Sequence, residues 1–177
     1  GRVYQAELPI NADPRAMAAV LQDVSVGDGA RRWADWLKGA NNDCQAYSRP
    51  VQTPGNLQMS EVMAHLQKVL PENAIITNGA GNYTAWIHRF YRYRQYGTQL
   101  APTAGSMGYG VPASVAAKLR MPEREVIAFA GDGCFLMNGQ EFATAVQYGA
   151  NIICIVVNNS MLGTIRMHQE THYPEGL

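Results

Sequence analysis

The sequence predicts an α/β domain with three layers, α/β/α, around a mostly parallel sheet. Two observations predict it. Glu125–Ala130 and Ile152–Val157 are short apolar runs, the pattern of strands buried on both faces of a parallel sheet. Around them strand-like and helix-like segments alternate, the order that builds βαβ units. A third observation orients the sheet: Ala74–Thr77, Gln99–Ala101 and Glu125–Ala130 each lead to a loop of glycines and other small residues. Ligands of open α/β sheets bind beyond the carboxyl ends of the strands.

Residues 1–50 are weakly patterned. Pro14 opens a helix through Ala16–Leu21, and Arg31–Leu37 is a short amphipathic piece carrying Trp33 and Trp36. Asn41-Asn42-Asp43 and Pro50–Asn56 read as turns and linker. From Ser60 the pattern becomes regular. Ser60 is the expected N-cap of a helix through Val62, Leu66 and Val69, with Glu61 at its positive end and Pro71 beyond its close. The strand Ala74–Thr77 then ends in Asn78-Gly79-Ala80-Gly81. Trp86, Phe90 and Tyr93, at i, i+4 and i+7, predict the next helix. A short strand near Gln99–Ala101 leads to the loop Thr103–Gly108, and Pro112–Leu119 is an alanine-rich helix ended by Pro122. Glu125–Ala130 runs into Gly131-Asp132-Gly133. Asn138 with Glu141 forms a capping-box pattern for a helix through Tyr148, with Gly149 at its end. Ile152–Val157 enters Asn158-Asn159-Ser160, and a last helix begins around Leu162.

The bulk composition narrows the function. With 177 residues, 47% hydrophobic and 16% charged, the chain is a globular protein rather than a disordered one. Its 14 basic and 14 acidic residues cancel, so no global field draws in nucleic acid or an anionic membrane. The three cysteines, Cys44, Cys134 and Cys154, form no CxxC pair. No apolar stretch reaches the length of a membrane span and no signal peptide is visible, so a cytoplasmic location is the default expectation. Both ends look cut, and a piece of a longer protein is expected.

The chemistry is expected at Asp132 and Asn159. If the two apolar strands are neighbours, a right-handed crossover brings both residues to the same sheet edge. One carboxylate and one amide oxygen are hard donors, suited to Mg²⁺ or Ca²⁺ and poor for zinc. Glycines beside Asp132 let a bulky anion approach the backbone. A metal-bridged phosphate site is the prediction. The tripeptide alone would favour a plain turn, and Gly27-Asp28-Gly29 has the same letters without the surrounding unit. The specific signal is the complete succession of strand, tripeptide, helix, strand and paired asparagines, with 24 residues (134–157) between Gly133 and Asn158.

At these residues the chain resembles the thiamine-diphosphate-binding signature of the acetolactate synthase, pyruvate oxidase and decarboxylase superfamily. The resemblance covers about residues 50–177 and implies that family's thiamine-diphosphate-binding fold, truncated at its C-terminus. Residues 1–50 would be the tail of a preceding middle domain plus linker, with Val3–Leu21 as the tail. It implies thiamine diphosphate and Mg²⁺ as cofactors, with Asp132, Asn159 and the Met161 carbonyl as metal ligands. Gly131, Gly133 and Cys134 would line the diphosphate, and Gly81, Asn82 and Tyr83 stand where acetolactate synthases carry Gly-Gln-His. Gly105, Ser106 and Met107 match the loop before the metal-binding strand, with Met107 as the apolar wedge and Ser106 near the aminopyrimidine. Leu162-Gly163 follows the asparagines as in acetolactate synthases. Five residues on, His168 stands in place of their substrate-selecting Trp.

The resemblance further implies decarboxylation of a 2-oxo acid and transfer of the acyl-anion equivalent to a carbonyl acceptor. The full-length protein would be a homodimer or homotetramer. The activating glutamate would come from the N-terminal domain of a partner subunit, so no catalytic acid or base is assigned in this chain, and the chain alone is expected to be inactive. Another 2-oxo acid decarboxylase is the nearest alternative. A different class stays open through Gly108-Tyr109-Gly110-Val111-Pro112-Ala113, which fits the GxGxxA dinucleotide fingerprint of an NAD-dependent oxidoreductase. Two further patterns have bland readings. His168 and His172 share a solvated helix face, and His88–Tyr96 interleaves packing aromatics with arginines that face another domain or subunit.

Overall fold

The computed structural model describes residues 3–25 and 27–176. The cut ends expected at Gly1 and Leu177 lie outside the described residues. The chain divides into two compact units, Gly1–Ala46 and Tyr47–Leu177.

In the first unit, α1 spans Pro14–Gln22, and the Asp13 carboxylate caps it by accepting from the backbone N–H groups of Arg15 and Ala16. A 3₁₀ turn over Asp28–Trp33 precedes α2, Ala34–Tyr47. The turn expected at Asn41-Asn42-Asp43 is therefore a helix interior. The helix penalty of Asn and Asp is only a few tenths of a kcal/mol per residue, up to ~0.7, and Asn41 Nδ2 donates to the Leu37 carbonyl one turn back.

The second unit is built on four parallel strands: β1 (Ile75–Asn78), β2 (Gln99–Leu100), β3 (Val126–Gly131) and β4 (Ile153–Val157). Their spatial order is β2-β1-β3-β4. The neighbours Ile75 and Ile76 in β1, and Val126 and Ile127 in β3, enter different clusters, as the two-residue period of a strand demands. Ile76, Ile127 and Phe129 pack with Met63 of α3 (Met59–Val69) and Ile87 of α4 (Thr84–Phe90). Ile75 and Val126 pack with Ala117 of α5 (Gly110–Arg120). Every residue of β1 and β3 is buried, so the α/β/α layering expected from the apolar runs is present at the centre.

Four local expectations are corrected. Ser60 lies one residue inside α3 rather than at its cap; its Oγ donates to the Val51 carbonyl and accepts from the Val51 N–H, pinning the incoming segment. The helix drawn through Tyr93 ends at Phe90, where Tyr91 turns to an extended backbone. Tyr91 and Tyr93 still join the core edge-to-face, with ring centroids 5.1 Å apart. The capping box at Asn138 is absent, because Gly131-Asp132-Gly133 opens a helix directly: α6 is Asp132–Asn138 and α7 is Glu141–Gln147. Asn138 closes α6, and its amide donates to the Gly108 carbonyl. Finally, β4 lies at the sheet edge, which leaves Ile153 and Val156 exposed.

Arg89 of α4 and Arg94 beyond it have partners in their own unit. Arg89 Nε donates to the Tyr47 carbonyl with its guanidinium 3.8 Å above the Tyr47 ring, and Arg94 pairs with Glu72. His168 and His172 lie exposed on α8, Gly163–His172, with their rings stacked.

Candidate functional site

The carboxyl edge of the sheet gathers the loops after β1, β3 and β4. Gly131 pairs with Val157 in the β3–β4 register, so Asp132 and Asn158-Asn159 leave adjoining strand ends. Asp132 and Asn159 open on one cleft. Gly81, Asn82 and Tyr83 line it from the β1 side, Met107 from the preceding loop, and Gly131–Cys134 from the floor. Asn159, Met161, Leu162 and Gly163 close the β4 side. Gly105 and Ser106 are exposed and do not line it. Ala80, Val157, Thr164 and Ile165 line it as well, though sequence reasoning did not single them out. For Thr164 and Ile165 the available signal was their place immediately after Leu162-Gly163.

Asp132 is the first residue of α6 and is half-buried at the lip. Asn158 and Asn159 shape the turn beyond β4. Asn158 Oδ1 accepts from the Ser160 N–H at 2.9 Å, and Asn159 Oδ1 accepts from the Met161 N–H at 3.2 Å. Ser160 takes a left-handed φ of 56° under these contacts, a conformation short of side-chain room. The Asn159 oxygen keeps a second lone pair. A carboxylate and an amide oxygen suit a hard cation that completes its shell with phosphate and water. Among the described residues no group of three or more His, Cys, Asp or Glu could enclose a metal, so a softer all-protein cage is not on offer.

The β4-side wall is tied across the cleft to the β1 loop, where Thr164 Oγ1 donates to Asn82 Oδ1. Met107 and Leu162 lean over Gly133 and make the roof apolar; a Cβ on that glycine would meet Leu162 Cδ2 at 3.0 Å and Met107 Cε at 3.3 Å. Tyr83 is turned inward, and burial first, then the neighbouring Cys134 thiol, push its hydroxyl pKa well above the usual tyrosine value. It keeps its proton through the neutral range.

The topology also decides the dinucleotide fingerprint. A GxGxxA unit needs the strand before its helix and the strand after it side by side. Here β2 precedes α5 and β3 follows it, and β1 lies between them. Asp132 is thereby freed from any ribose-binding role in that scheme.

Comparison with known proteins agrees with this geometry. Residues 79–176 match the family described as "Thiamine pyrophosphate enzyme, C-terminal TPP binding domain". The acetolactate synthase large subunit of Corynebacterium glutamicum is 34% identical over 181 residues, covering 98% of this chain and 28% of that protein. The large subunit from Lactococcus lactis is 30% identical over 179 residues, covering 99% of this chain and 30% of that protein. This chain thus spans less than a third of the length of these curated relatives. Among solved structures, the Rhodococcus jostii RHA1 thiamine diphosphate-dependent 4-hydroxybenzoylformate decarboxylase superposes with a TM-score of 0.66 at 24% identity. That match covers 74% of this chain and 25% of the decarboxylase, a likeness of fold. The chain belongs to the thiamine pyrophosphate enzymes and carries their C-terminal TPP-binding domain in an acetolactate synthase-like form.

Proposed function

We propose that this chain holds the diphosphate of thiamine diphosphate through a Mg²⁺ ion set between Asp132 and Asn159. The parent enzyme is acetolactate synthase-like: it decarboxylates a 2-oxo acid and passes the acyl-anion equivalent to a carbonyl acceptor. The observation that carries this reading is the pairing of Gly131 with Val157, which delivers one carboxylate and one amide oxygen to a single cleft. Asp132 and Asn159 would hold the metal by side-chain oxygens and Met161 by its carbonyl. The backbone around Gly131, Gly133 and Cys134 would face the diphosphate, and Met107 would press on the cofactor from its apolar side. When bound, the cofactor supplies the electron sink for the pair left by CO₂; the protein supplies binding, orientation and electrostatics.

No acid or base of this chain takes part in the reading. The activating glutamate is proposed to reach the site from the N-terminal domain of a partner subunit in a homodimer or homotetramer. Simple decarboxylation of a 2-oxo acid is the second reading, favoured by His168 standing where a Trp would select the acceptor.

Calorimetry with thiamine diphosphate plus Mg²⁺, and separately with NAD⁺, tests the proposal on wild type and Asp132→Ala. Metal-dependent heat in wild type, lost in the variant, is expected. Heat with NAD⁺ and none with the thiamine cofactor would sink it. Release of CO₂ from pyruvate by this chain alone would refute the external glutamate.

A further inference from the structure

Glycines around a phosphate cleft are ordinarily explained by the ligand, which needs the backbone bare. Here much of that bare space is already taken from inside the protein. A Cβ on Gly131 would stand 3.1 Å from Tyr83 Cδ1, and one on Gly81 would stand 3.2 Å from the same ring edge. A Cβ on Gly79 would meet the Tyr83 hydroxyl at 3.0 Å and Cys134 Sγ at 3.1 Å. One aromatic ring therefore sits against glycines from two different strand ends.

The hydroxyl is committed to the same loops. It accepts from the Gly79 N–H at 3.0 Å, and its proton faces the Phe129 carbonyl at 3.4 Å and Cys134 Sγ at 3.6 Å. The Cys134 thiol in turn donates to the Ala80 carbonyl at 3.0 Å. Tyr83 is only 9% exposed. A hydroxyl whose proton points into the protein has no donor to offer an anion in the cleft.

We propose that Tyr83 is a positioning residue: it shapes the diphosphate cradle by bracing the backbone at Gly79, Gly81 and Gly131, and makes no hydrogen bond to the cofactor itself. Cys134 is its second brace, on Ala80. The inference rests on the cofactor reading above, and concerns how the cleft is built rather than what metal it takes.

Tyr83→Phe keeps the ring and removes the hydroxyl, and Cys134→Ser keeps a donor for Ala80. Two measurements separate the possibilities: amide hydrogen exchange at Gly79 in the unliganded protein, and calorimetric affinity for thiamine diphosphate with Mg²⁺. Loss of one hydrogen bond should speed exchange at Gly79 by about tenfold in Tyr83→Phe and weaken the cofactor by a similar factor. Cys134→Ser should restore most of the affinity that Cys134→Ala loses. If Tyr83→Phe binds more weakly while Gly79 exchange is unchanged, Tyr83 is a direct ligand and the inference falls, with the cofactor reading intact. Equal affinity in wild type and Tyr83→Phe also overturns it. No heat from the wild type would remove the cofactor reading, and this inference with it.

Discussion

Thr164 Oγ1 donates to Asn82 Oδ1 at 2.9 Å, a bond across 82 positions of sequence that fastens α8 to the loop after β1. Asn82 also reaches Met167 one turn further along α8, with Nδ2 4.0 Å from Sδ. These contacts hold the β4-side wall of the cleft against the β1 side. Thr164→Val keeps the shape and removes the donor. At an exposed site the loss should be about 0.5–1.5 kcal/mol. Faster amide exchange confined to α8 is expected, with little change in global melting; unchanged exchange would show that the bond does not hold the helix.

Phe129 is 1% exposed at the centre of β3 and packs in the cluster that also contains Met63 and Ile87. Phe129→Ala should destabilise the domain by about 3–5 kcal/mol, the transfer loss plus the cavity. Denaturant titration measures this, and a cost below about 1 kcal/mol would mean the site collapses around the gap.

Tyr93 gives a change of opposite sign. Its hydroxyl is buried and has no hydrogen-bond partner among the described residues. Removing an unsatisfied buried polar atom removes its desolvation cost, about 1 kcal/mol or more. Tyr93→Phe should therefore be neutral to stabilising near neutral pH, and a clear loss of stability would require a partner for that oxygen.

Alkaline pH probes the same group. Burial raises the pKa of Tyr83, Tyr91 and Tyr93 above the usual tyrosine value. The folded protein therefore keeps protons that the unfolded chain releases above about pH 10. Stability from this source is intact below that pH and falls as pH rises further. Denaturation midpoints from pH 8 to pH 11 should decline steeply at the alkaline end, and Tyr93→Phe should flatten the decline. A variant with the wild-type slope would rule Tyr93 out as a contributor.

Much of the sheet was legible because β3 and β4 are written as unbroken apolar runs, and apolarity over five or six residues admits few other structures, while β1 shows as a short β-branched run before glycines. The adjacency of β3 and β4, on which the shared edge position of Asp132 and Asn159 depended, is present in the register. Less legible were features set by distant partners. Asn138 looks like a cap locally, yet its amide serves the Gly108 carbonyl, 30 residues away in sequence. Ser60 looks like a cap too, yet binds Val51. The exposure of Ile153 and Val156 in β4 was hidden for a different reason: an apolar strand reads the same at the centre of a sheet and at its edge. In the loop of Gly105, Ser106 and Met107, only Met107 of the three lines the cleft.

The ring of Tyr83 gives the glycines of the cleft unequal freedom to change over evolutionary time. Gly131 has an ordinary φ of −67°, so within the protein a methyl group there is opposed by the adjoining ring and not by the backbone conformation. Gly81 has a φ of +144°, which side chains avoid however much room they have. Relatives that carry a smaller residue at position 83 should therefore tolerate alanine or serine at 131, the two positions drifting as a pair. Position 81 should stay glycine in all of them.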